Sequence, residues 1–395
     1  MNETITTGLL DTGLQSPTRP GPYLGAAQST GRKAVSQARV TVLSGLGEKR
    51  PAAILVEARG LRILLDAGGA LHPGQSCDWY QGLDLDAVLL TQDQQDHAGG
   101  VKYLPEHIPI YASAATARCL PPGRIWRELP MQGFTYIDDI AIQTGRSGQA
   151  LGGVWLHLDI GGGVFYSGDF SCESLLYPFD VPPQAELALL DATYGLYDQT
   201  RLLASETLEL LLLEKPALLP VPPSGRAVEI ALWRHQAGCT DWSLDPACYE
   251  NLTRLVYEGD DMLLPGIKQQ LRDIMPQAAQ FNPHAHLILA GEADGIGGEA
   301  GRLIREGQFS WADVADNQEQ RYLIYTGYVP PHGPKGSHVL RWNVHPRLND
   351  LRWVVNMVEP TYTVPLFTTI HDERDWTNGV GKSLSLQRSW SLADA

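Results

Sequence analysis

The sequence predicts a mixed α/β protein, either α/β or α+β, with many tight turns between short elements. Hydrophobic residues make up 43% of the 395 residues and charged residues 19%, proportions that are typical of a globular chain with a buried core. The 40 glycines and 27 prolines indicate frequent turns. Short aliphatic runs alternate with helical stretches, and the length suits two domains or one large domain.

The net charge and the cysteine content indicate which partners and which cellular compartment suit this chain. The chain has 45 acidic and 30 basic residues, which gives a net charge of −15 at pH 7, and its five cysteines form no CxxC pair. Nonspecific nucleic-acid binding usually needs a basic excess, so it would require a local basic patch here. The cysteines indicate reduced thiols, and no apolar stretch approaches the roughly 18 residues of a membrane span. We therefore expect a cytoplasmic protein without a membrane partner.

The N-terminal part is predicted as a flexible arm followed by a meander of strands. Residues 1–38 are rich in Thr, Ser, Gly and Pro and show no sustained apolar period. Three short aliphatic runs then follow at 40–43, 53–56 and 61–65. A fourth run, at 86–90, leads into a polar loop and two glycines, and strand ends of this kind often carry the chemistry of α/β proteins.

The rest of the chain alternates strands and helices. Strands are predicted at 153–160, 163–167 and 187–190, and the last two lead into Asp169 and Asp191. A helix at about 202–213 opens a second α/β unit, and its strands at 217–221, 287–290 and 322–326, with helices between them, indicate a parallel sheet. The runs at 339–344 and 361–367 are interpreted as strands that return to the first domain, with a helix at 348–358.

Six ordered segments carry a resemblance to a known family. They are Leu-Leu-Asp-Ala-Gly at 64–68, the polar loop at 90–100, Tyr-Ser-Gly-Asp at 166–169, Asp-Ala-Thr-Tyr-Gly at 191–195, the Pro-to-Glu segment at 220–229, and Thr-Gly-Tyr at 326–328 with Asn-Val-His at 343–345. In this order the segments resemble the metallo-β-lactamase fold and, within it, the β-CASP family of RNA and DNA nucleases, which includes RNase J. The resemblance covers about residues 39–370.

The resemblance implies a domain organisation. It predicts an αββα sandwich built from residues 39–195 and 336–380, with a parallel α/β domain inserted at 196–335. Residues 1–38 remain an arm and residues 381–395 a tail.

The chain departs from the family at the metal ligands. Gln92 and Gln94 stand where the 90–100 loop would have its first two histidines, and Gln149 stands at the position of the third. The last metal-binding histidine aligns best with Phe367, although His371 lies close by. Asp96, His97 and Asp169 match the family.

These departures predict an impaired metal centre. The family's first zinc is held by three histidines and the shared aspartate, and carboxamides are poor donors to zinc. We therefore expect either no metal or one weakly bound divalent ion (Mg, Mn or Zn) on Asp96, His97 and Asp169, and no dinuclear zinc. His345 is a candidate proton donor or phosphate ligand.

Three functional interpretations remain open. The first is a degenerate, catalytically impaired β-CASP protein that acts in nucleic-acid processing or binds a partner, with single-stranded RNA or DNA, an active nuclease or another protein as that partner. The second is an active RNA or DNA nuclease that uses one non-zinc ion, with Asp96, His97, Asp169 and His345 as catalytic residues. In both, Asp191, Arg226 and Lys335 are candidate substrate contacts, and a salt bridge to Glu229 is the equal alternative for Arg226. The third, favoured by the acidity, is a scaffold without a nucleic-acid role.

Overall fold

The computed structural model describes residues 37–72, 74–306, 321–327 and 337–393, which form three β-sheets with helices around them. The strands, in chain order, are β1 (Gln37–Ser44), β2 (Ala53–Ala58), β3 (Leu61–Leu65), β4 (Ala87–Leu89), β5 (Ile110–Ala112), β6 (Trp126–Glu128), β7 (Gly133–Ile137), β8 (Ile140–Arg146), β9 (Val154–Leu158), β10 (Val164–Tyr166), β11 (Leu187–Asp191), β12 (Ala217–Pro220), β13 (Trp242–Leu244), β14 (Leu287–Ala290), β15 (Tyr322–Tyr325), β16 (His338–Val339), β17 (Tyr362–Leu366) and β18 (Ser389–Ala393). The helices are α1 (Gln95–Ala98), α2 (Ala114–Ala117), α3 (Arg201–Glu214), α4 (Gly225–Gln236), α5 (Pro246–Glu258), α6 (Ile267–Ala278), α7 (Gly298–Arg305), α8 (Leu348–Val358) and α9 (Glu373–Val380).

The first sheet has the strand order β18-β1-β2-β3-β4-β5-β6. Strands β1, β2 and β3 are antiparallel neighbours, as the predicted meander requires. From β3 to β6 the neighbours run parallel, so the carboxyl ends of these strands lie at one edge. Exposed and buried residues alternate at the start of β1 because only one face of this strand meets the core.

The second sheet has the order β17-β11-β10-β9-β8-β7 and packs against the first. Val40 and Ile63 of the first sheet share a buried cluster with Leu156 and Val164 of the second. The outer face of the second sheet packs against α8 and α9, where Trp376 belongs to the same cluster as the sheet's aromatic residues. Strands β10, β11 and β17 run parallel, so this sheet also has a common carboxyl edge.

The third sheet, in the order β13-β14-β12-β15-β16, is parallel throughout. Helices α3 to α6 contribute to the core on one face, and α7 packs on the other. The parallel sheet predicted for this region is therefore confirmed, together with the mixed α/β class, while β13 was not anticipated.

Two segments differ from the sequence interpretation. The strand predicted at 339–344 is only the short β16, and it pairs with β15 in the third sheet instead of returning to the first domain. The reason is burial, because Leu340 and Trp342 pack into the core of the third sheet. The predicted tail at 381–395 contains β18, which pairs with β1, since Trp390 and Leu392 are buried between the first two sheets.

Some predictions lie beyond these observations. Residues 1–36 of the predicted arm and Lys335 fall outside the described residues, and the domain limits stay predictions. Within the described part of the chain, no helix combines the length and the apolarity needed to cross a bilayer.

Candidate functional site

Strand ends from the first two sheets bring the polar residues together. Asp66 follows β3, Asp169 follows β10 after two residues, Asp191 ends β11, and Phe367 follows β17. Parallel neighbours place their carboxyl ends at the same edge, which is why acids that are far apart in the sequence meet here.

Asp66 is the fully buried acceptor at the centre of the site. Its Oδ1 accepts a hydrogen bond from the backbone N–H of Thr91 at 2.7 Å. Its Oδ2 accepts from the Thr91 hydroxyl at 2.8 Å, the Tyr166 hydroxyl at 2.7 Å and His97 Nδ1 at 2.7 Å. A carboxylate without a proton can only accept hydrogen bonds. Its bonds to His97 and Tyr166 therefore fix the orientation of both side chains.

His97 faces Asp169 with its second ring nitrogen. His97 Nε2 lies 3.3 Å from Asp169 Oδ1, but neither atom has a hydrogen-bond partner among the described residues. The other carboxylate oxygen, Asp169 Oδ2, accepts a 3.0 Å hydrogen bond from Gln92 Nε2. Gln92 therefore presents a donor to the carboxylate that would bridge two metals in the family pattern.

Lys49, which the sequence analysis did not select, lies inside this cluster. Its Nζ is 3.0 Å from Asp96 Oδ2 and 5.1 Å from the centre of the Phe367 ring. The ring of Phe367 in turn packs edge-on against His97, with 5.6 Å between ring centres. The site thus contains an ammonium group that the sequence did not predict.

The loop between β1 and β2 holds Lys49 in place. Phe367 N donates to Gly45 O at 2.7 Å, and Ala52 N donates to Asp96 O at 2.7 Å, so both ends of the loop are tied to the site. Gly45 has a φ of +97°, and a Cβ there would lie 2.7 Å from the Phe367 ring. Only glycine accommodates both the conformation and the close approach.

His345 and Asp191 form a second histidine–aspartate pair beside His97 and Asp169. His345 Nδ1 donates to Asp191 Oδ2 at 2.8 Å and lies 3.9 Å from Asp169 Oδ1. Asp191 is fully buried and also accepts a hydrogen bond from Thr193 N at 2.9 Å. Its position therefore suits it to orient His345.

Opposite charges shift the pKa values of this cluster. Burial lowers the pKa of His97, but Asp169 and Asp66 raise it more strongly, so that it lies well above the usual value. Burial raises the pKa of Asp169, but His97, His345 and Lys49 hold it well below the usual range. Burial also lowers the pKa of Lys49, and the nearby carboxylates, Asp169 foremost, reverse this and raise it. The charged forms thus stabilise one another.

A cleft of about 400 Å³ opens beside these residues. Gln94 Nε2 donates to Gln149 Oε1 at 3.3 Å on its wall. Arg226, the second residue of α4, and His345 also line the cleft. Within the described ranges, Arg226 Nε has no hydrogen-bond partner, whereas Arg254 on the same wall is paired with Asp93 and Glu258.

The structure thus brings most of the predicted site residues together. Asp96, His97 and Asp169 form one group whose ligand atoms lie within 4.8 Å of one another, and Asp169, Asp191 and His345 form another. Phe367 contacts His97, while His371 is exposed. Lys335 lies outside the described residues.

The residues present do not fit a zinc pair. No histidine occupies positions 92, 94 or 149, and the amides there bond to Asp169 and to each other. The Lys49 ammonium forms an ion pair with Asp96, and the Phe367 ring supplies no ligand atom.

Two functional residues were missed for different reasons. Lys49 belongs to an unremarkable Glu-Lys-Arg loop, and no local pattern marks it. Tyr166 ends a buried strand, where the hydroxyl of a tyrosine usually needs a hydrogen-bond partner, and that requirement is a usable signal.

Comparisons with known proteins place the fold but not a function. No protein-family model matches the chain, and no curated protein matches it. A protein of unknown function from Enterococcus faecalis V583 aligns over 90% of this chain and 100% of its own, with 16% identity and a TM-score of 0.56, which shows a shared fold. The metallo-beta-lactamase fold protein YhfI from Bacillus subtilis aligns over 39% of this chain and 71% of its own, with 17% identity and a TM-score of 0.32, which is too loose a likeness to support an argument.

Proposed function

We propose that this chain is a metallo-β-lactamase-fold protein of the β-CASP type whose hydrolytic centre has become a metal-free polar network, and that it binds single-stranded RNA or DNA without cleaving it. The ordered sequence segments and the two packed sheets with a separate parallel sheet support the family part of this proposal.

One observation carries the loss of hydrolysis. Two donors, the Gln92 amide and the Lys49 ammonium, are directed at Asp169 and Asp96 at 3.0 Å each. Hydrolysis by the family's route needs two ions, one to generate hydroxide and both to stabilise charge on the phosphate. The Lys49 ammonium places a positive charge beside Asp96, and the Gln92 amide occupies one oxygen of Asp169, so both side chains compete with an ion for these ligand atoms.

The cleft beside the network supports the binding part. A phosphate needs positive charge and N–H donors, and Arg226 at the N-terminal end of α4 offers both. The Nε of Arg226 has no hydrogen-bond partner in the portion of the chain that the structure describes. Because the whole chain carries a net charge of −15, binding should depend on this local feature and weaken steeply with salt.

The decisive experiment measures binding and cleavage in one sample. A fluorescent single-stranded RNA oligonucleotide should show a rise in anisotropy with the purified full chain and remain intact on a denaturing gel. Arg226→Ala should weaken binding and reduce the slope of log affinity against log salt by about 1, since one phosphate contact is lost. The exposed Arg39 offers a matched control, and Arg39→Ala should leave the slope unchanged.

Elemental analysis of the same preparation tests the metal-free state. We expect zinc well below one equivalent per chain, and incubation with EDTA should leave the melting temperature unchanged. Roughly two equivalents of zinc, the load of an intact dinuclear site, would overturn the proposal. Failure to bind RNA or DNA would overturn the nucleic-acid part and favour the scaffold interpretation.

The alternative nuclease has one observation in its favour. His97 Nε2 and Asp169 Oδ1 are buried without hydrogen-bond partners, considering the described residues, as a ligand pair for one ion would be. This alternative predicts Mn²⁺-stimulated cleavage of single-stranded RNA or DNA that Asp169→Ala abolishes. Absence of cleavage across Mn²⁺, Mg²⁺ and both nucleic acids would exclude it.

A further inference from the structure

Lys49 occupies a distinctive position in the carboxylate cluster. Its ammonium is 3.0 Å from Asp96 and lies over the Phe367 ring. Phe367 stands at the position where the family pattern has its last metal-binding histidine. The Lys49 ammonium therefore lies between one retained ligand residue and the residue that replaces a lost one.

Three potential metal ligands lie close together around the Lys49 ammonium. The ligand atoms of Asp96, His97 and Asp169 lie within 4.8 Å of one another. His97 is 0% exposed and Asp169 2% exposed, and their facing atoms, His97 Nε2 and Asp169 Oδ1, have no hydrogen-bond partner among the residues described. Asp66 fixes the other side of the imidazole at 2.7 Å, as outer carboxylates do for histidines that bind metals.

In this cluster the positive charge beside the carboxylates comes from the Lys49 ammonium, whereas in a cation site it would come from a bound ion. A divalent ion beside Asp96 would lie within a few ångströms of the Lys49 ammonium, and like charges at that separation repel strongly in a partly buried site. The side chain of Lys49 is 35% exposed and that of Asp96 is 9% exposed, so Lys49 lies on the solvent side of this carboxylate.

We propose that the Lys49 ammonium is a built-in cation that substitutes for a divalent ion at Asp96, His97 and Asp169, and that neutralising it converts the cluster into a divalent-cation site. Two carboxylates and one imidazole, completed by water, suit Mn²⁺. The inference rests on the proposed metal-free state of the wild-type chain.

The test is a gain of binding. Lys49→Met keeps the length of the side chain and removes its charge. Titration with Mn²⁺ alone, followed by the loss of the free-ion electron paramagnetic resonance signal, should show one bound ion per chain with an affinity about tenfold or more above that of the wild type. Lys49→Gln, which can still donate to Asp96, should show the same gain and serves if the first variant does not fold.

Two further variants locate the new site. Combining Lys49→Met with Asp96→Asn should abolish the gain, since one ligand carboxylate is lost. Arg50→Met removes a neighbouring charge that is paired with Glu48, outside the cluster, and should bind no more Mn²⁺ than the wild type.

The possible failures are separable. If folded Lys49→Met and Lys49→Gln bind Mn²⁺ no better than a metal-free wild type, the role assigned to Lys49 is wrong and the proposed function stands. Wild-type protein that binds Mn²⁺ as tightly as the variants would also overturn the inference. If the wild type is purified with a zinc pair, the proposed function itself fails.

Discussion

Asp66→Ala should lower the free energy of unfolding by about 3–5 kcal/mol, the loss that follows when one partner of a buried charged network is removed. The carboxylate accepts from Thr91, Tyr166 and His97, which are all buried, so each of these donors loses its partner inside the core. Unfolding in urea, followed by tryptophan fluorescence, would measure the change in midpoint at a constant slope.

The same substitution at an exposed aspartate shows how much of the effect is specific to the buried position of Asp66. Asp159 is exposed, so Asp159→Ala should change the unfolding free energy by less than about 0.5 kcal/mol. A similar small change for Asp66→Ala would contradict the central role given to Asp66. The loss of unfolding free energy for Asp66→Asn should lie between these two values. The amide oxygen can still accept a hydrogen bond, but the NH₂ group would face other donors.

Phe367→Ala should lower the unfolding free energy by about 3–5 kcal/mol, the usual range for removing a buried phenyl ring. The ring is 1% exposed and contacts His97 and the Lys49 ammonium. Its removal leaves a cavity at the point where the β1–β2 loop is tied to β17. The same urea titration measures the loss.

The control for Phe367 is the same substitution on the surface. Phe134 is 60% exposed, and Phe134→Ala should cost under about 1 kcal/mol. If Phe367→Ala were equally mild, the ring would not hold the loop, and the position of Lys49 would need another explanation. Because the two aromatic positions are far apart in the fold, their effects should add.

These predictions together describe how the site is stabilised. In a metal centre, a bound cation balances the carboxylates, and its removal weakens the fold. Here Lys49 and the imidazole of His97 lie against Asp96, Asp169 and Asp66, while Gln92 satisfies the remaining oxygen of Asp169. Stability should therefore depend on these side chains and not on chelators.

The sequence alone determined several of the local elements. The predicted limits of β3, β14 and α8 coincide with those observed, because each is an apolar run of the right period between clear turn or polar signals. The sequence also placed Asp169 and Asp191 at strand ends, and it selected Gln92, whose amide donates to Asp169, and the hydrogen-bonded pair Gln94 and Gln149.

Only the tertiary structure decided how these parts meet. The position of Lys49, the partners of Asp66 and the pairing of β18 with β1 all join segments that are distant in the sequence. Phe367 and Asp66 also adopt positive φ angles, of 62° and 56°, which local preference disfavours and the surrounding packing imposes. Periodicity reports how one segment is buried, whereas the partner of a charge depends on which other segments the packed sheets bring beside it.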